Sequence, residues 1–148
     1  MGYNYTRSNS YTFLYMRSTP VGNPHSIQIW GSQITPVDQT SIPTGEFMPV
    51  SGTPFDFLTE NRIGSTKIDQ VPGGYDHNYM LDSSQVCDTW QKVSDPSSLR
   101  ALNIWADAPG VQFYTGNFLH GIVGKRGAVC GKYSGLCLET QGFPCSFY

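Results

Sequence analysis

Between Pro20 and Pro72 the chain carries seven of its ten prolines. Proline fixes φ and has no N–H to donate, so a helix cannot run through it without breaking. The spacing leaves no room for a helix of ordinary length between most of these residues. Extended segments and turns are what remain. Ile27 and Ile29 alternate with Gln28 and Trp30, which predicts a half-buried strand, and Gln33 to Val37 continues an extended path. Ile42-Pro43-Thr44-Gly45 reads as a turn. Glu46 to Val50 reads as a short edge strand ending at Pro49. Ser51-Gly52-Thr53-Pro54 turns again, with Phe55 and Phe57 to bury. Asn61 to Ile68 holds one helical turn or a loop.

The second half keeps the pattern. Tyr75 to Asp82 alternates polar and aromatic residues, and Cys87 to Pro96 reads as a polar connection. Leu99 to Ala106 and Val111 to Thr115 flank Asp107-Ala108-Pro109-Gly110, which predicts a hairpin around a type II turn. Gly116 to Gly131, with five glycines, reads as a long loop before a last strand from Leu136. Strands with turns every eight to twelve residues predict an all-β chain with antiparallel sheets, of the sandwich or barrel class. Residues 1–25 lack a sustained period and read as a divergent, loosely held arm with at most a weak strand at Tyr11 to Tyr15. Residues 26–148 form the ordered part.

Nine basic against eleven acidic residues give a formal charge of −2, and there is no basic run. That balance argues against nucleic acid or an anionic membrane as partner and favours a neutral small molecule. No apolar stretch is long enough to span a bilayer, and the N-terminus lacks the pattern of a signal peptide. Cys87, Cys130, Cys137 and Cys145 show no metal-ligand spacing, so free thiols in a cytoplasmic, reducing setting are expected. The residues call for no cofactor and no metal.

Three polar residues sit where a plain core strand would not put them. In Gly135 to Gln141, Leu136, Leu138 and Thr140 face one way, while Cys137, Glu139 and Gln141 face the other. Glu139 is then either the wet face of an edge strand or a carboxylate standing on a sheet floor as a base. Asp76 after a double glycine is a turn residue or a ligand-binding acid. Gln112, between Val111 and Phe113, points to solvent or lines a pocket. Taken together, two carboxylates, an amide and aromatic rings suit a sugar, whose hydroxyls need donors and acceptors and whose C–H face packs on rings.

Six blocks make this specific. Ile34-Thr35-Pro36-Val37-Asp38, Ile42-Pro43-Thr44-Gly45-Glu46, Gly52-Thr53-Pro54-Phe55-Asp56-Phe57, Gly74-Tyr75-Asp76-His77-Asn78, Pro109 to Asn117 and Leu136 to Gln141 resemble, in order, the signature blocks of the aldose 1-epimerases (galactose mutarotases). They cover residues 26 to 144, and the wording of Ser26 to Asp38 is most similar to the plant branch. The resemblance implies part of a β-supersandwich whose sheet floor binds an aldohexose such as glucose or galactose. It implies interconversion of α and β anomers by ring opening. Glu139 matches the family's catalytic base, and Asp76 and Gln112 match substrate-binding positions.

The family's general acid, a histidine in an Asn-His-Thr/Ser-Tyr-x-Asn-Leu block ahead of Ser26, is expected to be missing, because Met1 to Asn23 is expected to match nothing in the family. Of the three histidines, His77 should turn away from Asp76, since neighbours on a strand face opposite sides. His25 lacks the block's context, and His120 lies in the glycine-rich loop. The chain thus reads as the C-terminal half of a mutarotase, weakly active or inactive. The alternative is a non-catalytic carbohydrate-binding or interaction module, open to self-association through exposed sheet edges.

Overall fold

The computed structural model describes residues 3–5, 24–64, 67–82 and 89–144. In chain order its strands are β1 (Tyr3–Tyr5), β2 (Ser26–Ile29), β3 (Gln33–Thr35), β4 (Met48–Pro49), β5 (Asn61–Arg62) and β6 (Asp76–Met80). There follow β7 (Thr89–Asp95), β8 (Arg100–Ala106), β9 (Gly110–Tyr114), β10 (Ile122–Val123), β11 (Val129–Cys130) and β12 (Cys137–Gln141). Two short 3-10 turns, Ile68–Gln70 and Lys125–Gly127, are the helical content of the described residues. The prolines act as expected: extended chain and turns fill the space between them.

Two five-stranded sheets form. The first runs β1-β8-β7-β2-β5 and the second β12-β9-β6-β3-β4, with β10 and β11 as a separate ribbon. Pairing is antiparallel except between β1 and β8. One apolar cluster joins the sheets. Ile27, Ile29, Val93 and Ile104 from the first pack with Ile34, Tyr79, Val111, Phe113 and Leu138 from the second. Phe57 plugs the seam, its ring edge-on to both Tyr75 and Phe113 at 5.3 and 5.8 Å. Its carbonyl accepts the Ile29 N–H.

Four expectations are corrected. Cys87 to Pro96 is not a connection, because Thr89–Asp95 is a strand inside the first sheet, between β2 and β8. Gln91 hid it: this side chain is fully buried at a position where the alternation calls for an apolar residue. Nor do Leu99–Ala106 and Val111–Thr115 form a hairpin. β8 pairs with β7, whereas β9 pairs with β6 and β12, so Pro109 and Gly110 carry the chain from one sheet to the other. The true hairpin turn is Pro96 to Leu99, where Asp95 accepts hydrogen bonds from Ser97 and Ser98 and Leu99 takes a positive φ. Finally, Asn61–Arg62 is an edge strand on β2, and the loop of Gly116 to Gly131 contains the β10–β11 ribbon.

The strands of Ser26–Ile29, Gln33–Thr35, Asp76–Met80 and Cys137–Gln141 stand where the alternation puts them. Met48–Pro49 is the edge strand expected near Pro49. Tyr3–Tyr5 lies along β8, and the suggested strand at Tyr11 to Tyr15 falls outside the described residues. Cys137 is a free thiol, and Cys87 and Cys145 lie outside the described residues.

Candidate active site

The second sheet has two faces because side chains alternate along each strand and the register aligns them across strands. One set of rows, Ile34-Tyr79-Val111-Thr140 and His77-Phe113-Leu138, turns to the core. Between and beside them the other face is polar. Thr35, Asn78, Gln112 and Glu139 are successive cross-strand partners on β3, β6, β9 and β12. Asp76, Tyr114 and Cys137 make the next row. Asp76, Gln112 and Glu139 therefore come together through register, although 63 positions separate the first from the last.

This face floors a cavity of about 470 Å³. One wall is the loop after β3. There Val37 bridges Pro43, and Asp38 accepts from the Thr40 hydroxyl and from the Thr40 and Ile42 N–H groups. These bonds hold the Asp38 carboxyl below its ordinary pKa. The opposite wall is aromatic. Tyr114 and Phe118 stack with centroids 6.3 Å apart, and the Phe118 N–H donates to the Tyr114 hydroxyl. Phe118 is largely exposed, so its ring is open to a C–H face.

The two carboxylates have different surroundings. Gln112 Nε2 donates to Asp76 Oδ1 at 2.8 Å, which fixes the Asp76 carboxyl on the floor. Glu139 has its pKa raised, first by burial and then by the Asp76 charge. Among the described residues no ion pair reaches it. A carboxylate so placed is a stronger base than one in water. Cys137 is pushed up to about 11 by burial, with Glu139 and Asp76 adding to it, so its thiol stays protonated and is no nucleophile.

The histidines lie elsewhere. His77 faces the core side, its ring 4.6 Å from that of Phe55, and its Nδ1 accepts the Asp76 N–H. Burial lowers its pKa against the pull of Asp76. His25 is buried at the start of the first sheet, with its pKa lowered by burial and partly restored by Asp95. His120 is exposed in the loop. None of the three is among the described residues lining the cavity.

Sequence reasoning missed Thr35, Asn78 and Gln141, which share the floor. The signal was available: Asn78 has the parity of Asp76, and Gln141 that of Glu139. Gly110 does more than follow a turn. Here its missing side chain makes room, since a Cβ at Gly110 would stand 2.6 Å from Asn78 Oδ1.

Solved structures share this fold. The aldose epimerase homologue from C. elegans superposes with a TM-score of 0.73 at 21% identity, over 82% of this chain and 37% of that one. Galactose 1-epimerase from Lactobacillus acidophilus follows with a TM-score of 0.58 at 22% identity, over 82% and 36%. The fold is thus the galactose mutarotase-like one.

The aldose 1-epimerase family model matches residues 20–147, and the chain belongs to that family. It is 44% identical to human galactose mutarotase over 138 residues, covering 93% of this chain and 40% of the relative. Aldose 1-epimerase of Escherichia coli is 32% identical over 128 residues, covering 81% and 36%. The chain spans about two fifths of the length of the human relative. The 138-residue match is longer than residues 24–148, so it takes in part of the first 23. The expectation that Met1 to Asn23 lies wholly outside the match is corrected to that extent.

Proposed function

We infer that this chain binds an aldohexose in the cavity and supplies the base half of anomer interconversion. The observation that carries the reading is the state of Glu139. It is a carboxylate of raised basicity, held beside an Asp76 that Gln112 orients, on a floor faced by an aromatic wall. Glu139 takes the proton of the anomeric hydroxyl as the C1–ring oxygen bond opens, and the ring oxygen, leaving with the bonding pair, takes a proton from water. Asp76 and Gln112 bind ring hydroxyls, and Tyr114 with Phe118 packs the C–H face. Rotation about C1–C2 and reclosure then deliver the other anomer, with Glu139 returning the proton.

Protonation of the ring oxygen needs an acid, and the described cavity lining offers no histidine. General acid or base assistance is worth about 10²- to 10⁴-fold, or about 3 to 5 kcal/mol of barrier by the usual tenfold conversion. Sugars also mutarotate unaided in water. The chain is therefore a sugar binder with little turnover, which is where the enzyme reading and the binding-module reading meet. Cytoplasmic residence belongs to the same reading and draws on thiols that have no need of pairing. Among the described residues no helix is long and apolar enough to cross a membrane. The outer strands β4 and β12 offer edges for self-association.

Polarimetry on α-galactose and α-glucose tests the reading. The chain should barely exceed the rate in buffer, and Glu139→Gln should change the rate little while altering sugar affinity. Robust turnover abolished by Glu139→Gln would mean that an acid is present and that His25 or His77 must be reconsidered.

A further inference from the structure

Two polar atoms on the cavity floor find no partner among the described residues. Thr35 Oγ1 and Asn78 Nδ2 are both buried and accept or donate no hydrogen bond there, with Thr35 6% and Asn78 1% exposed. Unpaired buried polar groups cost stability, so a fold rarely keeps two of them side by side. These two are direct cross-strand partners, and both residues line the cavity. The surroundings hold Asn78 in place: Gln141 Nε2 donates to its Oδ1 at 3.3 Å, and Gly110 clears the space it occupies. The amide is thus oriented with its acceptor used and its donor spare.

We propose that Thr35 Oγ1 and Asn78 Nδ2 form a hydroxyl-binding subsite that sets specificity at the end of the sugar remote from Glu139. The proposal rests on the sugar reading above. In the row Thr35-Asn78-Gln112-Glu139, Asn78 stands two strands from Glu139, which is about 10 Å of floor. A pyranose with its anomeric hydroxyl at Glu139 extends its C4 and C6 hydroxyls toward that end. The oxygen of one such hydroxyl accepts from Asn78 Nδ2, and its proton is shared with Thr35 Oγ1. Both orphaned atoms are then satisfied. An analogue lacking that hydroxyl leaves them unpaired and is discriminated against for that reason.

The experiment uses the full chain and Thr35→Val, which removes the hydroxyl at nearly constant shape. Without sugar, Thr35→Val should melt about 2 °C higher, because an unpaired buried hydroxyl is gone. Binding of D-galactose and of its 2-deoxy, 4-deoxy and 6-deoxy analogues is followed by chemical-shift titration. Thr35→Val should weaken galactose about 3- to 10-fold, the worth of one neutral hydrogen bond. The 2-deoxy sugar should lose the same factor, while the 4-deoxy or the 6-deoxy sugar should not sense the substitution. A lower melting temperature, unchanged galactose affinity, or an equal loss on every analogue would overturn the subsite while leaving the sugar reading intact. Failure of the unsubstituted chain to bind any of the sugars would overturn both.

Discussion

Glu60 and Glu139 stand on the solvent-facing sides of the two sheets and are held in opposite ways. Glu60, beside β5, accepts from Lys92 Nζ at 2.7 Å and from the Ser94 hydroxyl at 2.7 Å. Those hydrogen bonds, Lys92 first, lower its pKa. Glu139 has no ion-pair partner among the described residues, a raised pKa, and a second carboxylate for a neighbour. Beside the first sheet the Glu60 charge is met by Lys92. The second leaves a carboxylate uncompensated and amide groups partly unused. A glutamate in a strand pattern is therefore not informative by itself. Its meaning depends on what the neighbouring strands place within reach.

The two-sidedness of β12 gives the largest expected effect. Leu138→Ala removes a fully buried side chain on the core face and should cost about 2 to 5 kcal/mol, read as a fall in the denaturant midpoint. At the next position, Glu139→Gln should not destabilise at all. If both substitutions cost alike, the division of this strand into a core face and a cavity face is wrong.

The histidines sharpen the comparison next. His25 in the first sheet and His77 in the second have their pKa values lowered by burial. The unfolded chain then takes up protons more readily than the folded one. Stability is fully present above the ordinary histidine pKa of about 6.5 and falls as pH drops through and below it. Melting curves between pH 7.5 and 5.5 should show that fall, and His25→Gln or His77→Gln should each shrink it. A flat profile would mean that neither ring is sealed from water.

The smallest effects come from the two glutamates themselves, and their signs should oppose. Glu60→Gln should cost at most about 1 kcal/mol, and less in high salt, because the pair with Lys92 is about one-third exposed. For Glu139 the folded pKa is raised, so its ionised form opposes folding once pH exceeds the folded pKa. Glu139→Gln should then raise stability slightly at neutral pH, with the gain vanishing below the ordinary carboxylate range. Equal signs at the two positions would erase the contrast between the sheets.

Much of this was legible in the residues. Proline spacing ruled out long helices, and a period of two put Leu136 and Leu138 on one side of the last strand and Glu139 on the other. The blocks around Asp76, Gln112 and Glu139 carried the family. Those are local properties: φ restriction, side-chain alternation and turn chemistry act within a few residues, so the chain displays them directly. Tertiary structure alone decided which strands are neighbours. That Pro109 and Gly110 link two sheets, that Gln91 hides a strand in the first sheet, and that Asn78 and Thr35 share a floor all depend on pairing across 30 or more positions. Alternation tells a strand which face to bury and says nothing about which partner lies beside it. Partner choice is settled by burying the whole apolar cluster at once, and only then do the polar residues on the far face acquire neighbours.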